Sequence, residues 1–213
     1  MTQTIQAKTL TLHDVETKFN FQLCEDEEFF REWIDDLPEI TDDKKRSLDK
    51  LKAGYMNSVK YAMIEDAVKM VVLAPLLFLA DFYLTPFHIE TEKSVELTIE
   101  DEDIIVRGSI DVLLFLQSFW VVAIEAKRSQ YSVEAGLPQL LFYMLNDPSP
   151  EQVTFGLLTN GSSFRFIKVS KQDTPQYAVS KLFDIANPRN ELYEVFRILK
   201  RVAGIISSNT SST

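Results

Sequence analysis

From Phe87 onward the chain changes rhythm. Val95, Leu97 and Ile99 alternate with Glu96, Thr98 and Glu100, the period-two pattern of a strand with one buried face. An acidic tip, Asp101-Glu102-Asp103, turns this strand into a second over Ile104 to Leu116, and Gln117-Ser118 marks another turn. Phe119 to Ala126 is apolar at nearly every position, which predicts a central strand buried on both faces. Upstream, Val59, Met63, Ala67, Met70 and Val71 recur at helical spacing and predict a helix over Ser58 to Leu73, kinked or restarted at Pro75. Downstream, Ser132 to Leu145 reads as a helix stopped by Asn146-Asp147-Pro148. Val153 to Leu158 and Phe164 to Val169 read as strands joined by Thr159-Asn160-Gly161-Ser162, where "NG" is a hairpin signal. Asn190 to Ile205 reads as a closing helix. Helix, three strands, helix, strand pair, helix is an α/β order that predicts a mixed sheet with helices packed on its faces.

The first 56 residues are more polar. Asp26 to Asp35 and Thr41 to Lys52 read as helical segments split by Pro38, with Thr41 as N-cap. Thr9-Leu10-Thr11-Leu12 alternates and suggests an edge strand. The expected division is an N-terminal strand and acidic helical extension over 1–56, a core with its closing helix over 57–206, and a disordered Ser/Thr tail over 207–213.

Composition narrows the chemistry. With 213 residues the chain is long enough for one sizeable core. The single Cys24 excludes an intramolecular disulfide, and two histidines supply no zinc-ligand spacing. The greasiest run, Met70 to Ala80, is too short to span a membrane and contains Pro75, and the N-terminus lacks a secretory pattern. A cytoplasmic protein without membrane association is expected. A net charge of −10 argues against a generic nucleic-acid coat. The charge is uneven, however. Residues 160–213 hold 8 basic and 4 acidic residues, so Arg165, Lys168, Lys171, Lys181, Arg189, Arg197, Lys200 and Arg201 either form a basic side or belong to a mixed surface.

Asp111, Glu125 and Lys127 stand within or beside the apolar strands. A two-residue turn at Gln117-Ser118 pairs Leu116 with Phe119 and sets Asp111 opposite Ile124, whereas one more residue sets it opposite Glu125. Opposed Cβ atoms lie roughly 4.5–5.5 Å apart, but a one-residue slip sends the two carboxylates to opposite faces. Two adjacent carboxylates in a low-dielectric region repel unless a cation lies between them. A hard divalent ion such as Mg²⁺ resolves that conflict. Lys127, two residues past Glu125, shares its face on a strand, where it can orient a water or stabilise phosphate charge.

Gly108-Ser109-Ile110-Asp111, a gap of thirteen residues, then Glu125-Ala126-Lys127 resembles the D…ExK core of the PD-(D/E)XK, restriction-endonuclease-like nucleases. Gln139 and Tyr143 in "GLPQLLFYM" resemble the QxxxY signature of RecB-like nucleases and of type I restriction R-subunit nuclease domains. They are i, i+4 and share a helix face. "LLTNGSSFRFIKV" is similar to the strand pair that follows the core in the type I relatives. The resemblance spans about Ser58 to Val169 and implies an αβββαβ core. Ile110 stands where the eponymous motif has proline. The helicase motor of such subunits has no counterpart here, so ATP-driven translocation is not expected of this chain.

The resemblance further implies a metal-dependent endonuclease acting on DNA. Asp111, Glu125 and the Ala126 carbonyl would bind Mg²⁺, with Mn²⁺ as substitute. Lys127 would assist the attacking water, and Gln139 and Tyr143 would contact substrate or hold the geometry. Glu65, on the preceding helix, resembles the family's further metal carboxylate and is favoured over its neighbour Asp66. A homodimer and a separate motor or specificity subunit are the partners such an enzyme would call for. Against this stands a plainer alternative: strand-end charges facing water, a polar pair on a core helix, and a catalytically silent fold that binds nucleic acid or protein.

Overall fold

The computed structural model describes residues 3–61, 63–99, 104–116, 119–126, 132–148, 153–172 and 174–210; at 99, 116, 119–126, 206 and 208–210 it describes the backbone alone. The expected acidic tip at 101–103, the turn at 117–118, Lys127 and the last three tail residues lie outside the described residues. The chain opens with β1 (Gln3–Gln6), a 3-10 turn over Ala7–Thr9 and α1 (Leu12–Lys18). The edge strand thus precedes the Thr9–Leu12 stretch. Thr11 caps α1 instead: its Oγ1 accepts the Asp14 N–H at 3.1 Å, and Asp14 accepts the Thr11 N–H at 2.9 Å, a reciprocal box that satisfies two donors at the helix start.

After β2 (Gln22–Leu23), Asp26 to Asp35 forms successive turns and not the expected helix. Asp26 Oδ1 takes the Glu28 N–H at 2.9 Å, and this local side-chain bond competes with the helical ladder. Phe30 meanwhile reaches the core. Thr41 caps α2 (Asp42–Ser58), accepting the Lys44 N–H, and Leu48, Leu51 and Tyr55 bury one face.

The helix expected over Ser58 to Leu73 is divided. After a 3-10 turn at Val59–Tyr61, α3 (Glu65–Val68) runs through a π-helical turn, Lys69–Leu73, into α4 (Ala74–Leu79). Pro75 offers no N–H, and its ring crowds the carbonyl four residues back. The turn before it widens, with the Ala74 N–H bonding the Lys69 carbonyl. A phase shift therefore falls at Lys69.

The strands expected next are present as β3 (Phe87–Ile99), β4 (Ile104–Leu116) and β5 (Phe119–Ala126). Ser132 caps a 3-10 turn that leads into α5 (Leu137–Leu145). β6 (Thr154–Thr159) and β7 (Ser163–Ser170) form the predicted hairpin, where Gly161 takes φ +87° and Asn160 Oδ1 accepts the Ser162 and Ser163 N–H groups at 3.1 and 2.8 Å. β8 (Gln176–Val179) and β9 (Phe183–Asp184) were not expected. α6 (Leu192–Thr210) closes the chain and runs past the expected end at Ile205.

One mixed sheet orders the strands β1-β4-β5-β6-β7-β8-β2, with β3 on the other edge of β4 and β9 beside β7. β5 and β6 are parallel and joined through α5, whereas β3–β4, β4–β5 and β6–β7 are antiparallel. Residues of α2, α4 and α6 pack with Val112, Leu114, Leu157 and Phe166 in one core. Residues of α1 and α5 pack with Val106, Ile110, Leu113 and Leu158 in the other. The helix–βββ–helix–β order thus holds a sheet between two helical layers, the restriction-endonuclease-like arrangement.

The same two cores expose a break in β4. Val106 and Ile110, at even positions, face the α5 side, whereas Val112 and Leu114, also even, face the α2–α4–α6 side. β3 does likewise: Phe87 and Ile89 face one core and Val95 and Leu97 the other. Strand side chains alternate strictly, so both strands exchange faces between these groups. The exchange falls where Glu92 takes φ +54° and the β3–β4 ladder skips from Thr91–Val112 to Lys93–Ile110. The position skipped on β4 is Asp111.

The C-terminal cations do not build an open basic side. Arg165 pairs with Glu134, Lys168 with Glu32, Arg189 with Glu194, Lys200 with Asp81 and Arg201 with Asp36. Arg197 donates to the Leu37 and Pro38 carbonyls, Lys171 to that of Asp147, and Lys181 lies over the Phe183 ring. Lys168 and Arg201 meet carboxylates of the acidic N-terminal segment, and Arg197 ties its Leu37-Pro38 loop to α6.

Candidate active site

β4 has a full-length neighbour on one edge and two partial ones on the other. β3 runs beside Ile104 to Leu116. On the opposite edge β1 covers Ile104 to Arg107 and β5 covers Val112 to Leu116. Among the described residues no strand lies beside 108–111 on that edge. The four residues left without a neighbouring strand there are Gly108, Ser109, Ile110 and Asp111.

α5 fills part of this notch. The Tyr143 hydroxyl accepts the Ser109 backbone N–H at 3.1 Å and a Gln139 Nε2 hydrogen at 2.6 Å. A donor that a strand would otherwise satisfy thus finds a side chain, as a buried N–H requires. Tyr143 is only 1% exposed. It approaches β4 so closely that a Cβ on Gly108 would lie 2.6 Å from its ring and 2.8 Å from the Ala7 Cβ. Glycine here answers to close packing.

Asp111, Glu65, Gln139 and Tyr143 line one cleft of about 530 Å³, together with Lys8 and Arg107. A second, more apolar cavity of about 360 Å³ adjoins it, walled by Met70, Leu73 and Tyr83, and Asp111 borders both. Glu65 lines the first cleft and Asp66 the second. Sitting where the strand changes faces, Asp111 is presented to both.

The register across β4–β5 combines the two expected alternatives. Leu116 pairs with Phe119 and Phe115 with Trp120, as a two-residue turn requires. The ladder then shifts, and Leu114 pairs with Val122, so Val121 is the extra residue of a β-bulge. Beyond the last pair, Val112–Ile124, the next positions on the two strands are Asp111 and Glu125. The added residue sits within the strand and not in the turn. The Glu125 and Ala126 backbones continue into the parallel ladder with Leu158 and Thr159. The Glu125 and Ala126 side chains and all of Lys127 lie outside the described set.

Lys69 was not anticipated. Its ammonium lies 2.8 Å from Asp111 Oδ1, 3.6 Å from Glu65 Oε1 and 3.8 Å from Asp66 Oδ1. The Asp111 side chain is 12% exposed and that of Lys69 23%. Burial by itself would lower the Lys69 pKa, but the hydrogen bond to Asp111, with the fields of Asp111, Glu65 and Asp66, outweighs it and raises the pKa. The i, i+4 spacing of Glu65 and Lys69 was visible in the sequence; that Asp111 would meet the lysine was not. A π-turn beginning at Lys69 aims this segment, and such turns recur at functional sites.

Among the described residues no three His, Cys, Asp or Glu side chains form a ready metal cage. The donor set is nevertheless the right chemistry for a hard cation, since Asp111 and Glu65 already turn carboxylate oxygens toward one positive charge, that of Lys69. Both would hold such an ion, with the Glu125 position alongside. No helix among the described residues is long and apolar enough to cross a membrane.

The mixed sheet in a helix–βββ–helix–β order is the restriction-endonuclease-like arrangement, with Asp111 on β4 and Glu65 on the preceding α3 lining one cleft. Residues 96–175 are similar to the family described as Type I restriction enzyme R protein N terminus, a match over less than half of the chain. The match takes in Asp111, Glu125, Lys127, Gln139 and Tyr143 and stops short of Glu65 and Lys69. Among solved structures, a fragment of a chain assigned as an HsdR subunit of a type I restriction enzyme from Vibrio vulnificus YJ016 is 19% identical. The match covers 68% of this chain and 27% of that one, at a TM-score of 0.39. This chain thus spans about a quarter of the length of that chain. No curated protein matches.

Proposed function

We propose that the cleft at Asp111 is the active site of a metal-dependent phosphodiesterase, an endonuclease acting on DNA. The observation that carries this reading is the placement of Asp111. It lies where two strands exchange faces and a sheet edge is open, beside Glu65 and a cation, in the cleft that holds Gln139 and Tyr143. Asp111, Glu65, Glu125 and the Ala126 carbonyl are the groups that would hold Mg²⁺ or Mn²⁺. When bound, a divalent ion lowers the pKa of a water and offsets charge on the scissile phosphate. Lys127 orients the water for attack and meets the phosphate charge. Gln139 and Tyr143 keep the edge of β4 open, Tyr143 by replacing a neighbouring strand as acceptor. DNA and, by the family's nature, separate motor or specificity chains are the partners in this reading, and a homodimer would supply the second cut of a duplex.

The test is cleavage of linear, circular and single-stranded DNA with Mg²⁺ and Mn²⁺. Asp111→Ala and Lys127→Ala should each abolish metal-dependent cleavage, and full activity in both would overturn the mechanism. The pairing of most C-terminal cations with carboxylates or carbonyls of this chain favours one other reading, a silent module without strong DNA contact. Calorimetric titration with Mn²⁺ separates the two, because a silent site binds no metal through Asp111.

A further inference from the structure

We propose that Lys69 is a resident counter-ion of Asp111 and Glu65. It holds the carboxylates in the metal-free protein and is displaced from Asp111 when a divalent cation enters. The inference rests on the metal-binding reading above and adds a residue and a step to it.

The charges require some such device. Asp111 is largely shielded from water, and an ionised carboxylate in that setting is costly without a nearby cation. Lys69 supplies one at 2.8 Å, within 4 Å of Glu65 and Asp66 as well. An ion coordinated by Asp111 and Glu65 would sit roughly 2.0–2.6 Å from their oxygens. Its centre would then fall within a few ångströms of the present ammonium. Two cations so close in a shielded site repel strongly, so occupancy by one excludes the other.

The lysine also has somewhere to go. It borders the second cavity, whose rim carries Asp66 with a side chain 84% exposed. Rotation of the flexible four-carbon stem would give up the Asp111 contact and shorten the existing 3.8 Å one with Asp66. The freed ammonium would remain beside the cleft, at hand for a phosphate oxygen. Metal entry and substrate binding would thus be coupled through one side chain.

The test is calorimetric titration of Mn²⁺ into the full chain and its Lys69→Met variant. The variant should bind Mn²⁺ about tenfold more tightly, and its metal-free form should unfold at lower temperature. Unchanged or weaker Mn²⁺ binding by a folded Lys69→Met protein overturns the inference. Lys69→Arg provides a second route if the methionine variant does not fold. A bidentate guanidinium holds a carboxylate more firmly than an ammonium, so Mn²⁺ should bind several-fold more weakly, and unchanged or tighter binding overturns the inference. If the unaltered chain takes up no Mn²⁺ through Asp111, the metal-binding reading itself fails. Metal uptake through Asp111 that ignores residue 69 leaves that reading intact and removes only the role of Lys69.

Discussion

The hydroxyl of Tyr143 accepts the backbone N–H of Ser109 at 3.1 Å, standing in for a strand along the open edge of β4. Tyr143→Phe removes that acceptor and the partner of Gln139 together. Stability should fall by about 1–3 kcal/mol, the cost of leaving a buried donor unsatisfied. Gly108→Ala should cost a similar 1–3 kcal/mol by crowding the same ring. Denaturant unfolding of both variants checks the pair.

Glu65 and Asp66 are neighbours in sequence but border different cavities. Glu65→Gln should lower metal-dependent cleavage at least tenfold more than Asp66→Asn, about 1.4 kcal/mol in barrier. Comparable losses in the two variants, measured as initial rates on one DNA substrate, would remove Glu65 from its assigned place.

Thr11 and Asp14 form the capping box of α1. The side-chain hydrogen bond from Thr11, then the backbone one, holds the Asp14 pKa below its ordinary value of 3.8. A depressed carboxylate contributes stability above its unfolded pKa and loses it as pH falls through the folded pKa. Thr11→Ala should therefore cost about 1 kcal/mol at neutral pH. Part of that gap to the parent protein should close below about pH 4. Chemical denaturation across pH 2–7 reads both effects.

Lys168 reaches Glu32 and the Phe29 carbonyl, both at 2.6 Å, and its ammonium lies over the Phe29 ring. Lys168→Met should cost on the order of 2 kcal/mol, as expected for lost bonds to charged groups in a shielded place. Its effect on DNA affinity should be small. A variant of normal stability with weakened DNA binding would contradict the structural role given to the C-terminal cations.

Much of the sheet was legible because its local signals agreed with the global fold. The alternation around Val95, the Asn160-Gly161 turn and the Thr41 cap each specify their element. The Asp26 to Asp35 segment misled because its charged composition is compatible with a helix, whereas an Asx turn and the burial of Phe30 set its path. Asp111, Glu65, Gln139 and Tyr143, which the resemblance singled out, line one cleft. The exchange of faces at Glu92 and Asp111 was not legible in the sequence. β4 is apolar on both sides after Asp111, so a half-turn leaves no trace in its hydrophobic pattern. Lys69 was hidden for a similar reason: its meeting with Asp111 joins elements far apart in sequence, and a π-turn set by Pro75 aims it.

The bulge at Val121 makes the distance along the chain between Asp111 and Glu125 an adjustable quantity. A relative with one residue fewer in this hairpin could lose the bulge and still bring the same two positions level, while one with an added turn residue could gain its compensation elsewhere. Searches that fix the number of intervening residues would discard such relatives. Aligning the rungs of the ladder, and not the letters between them, would keep them together.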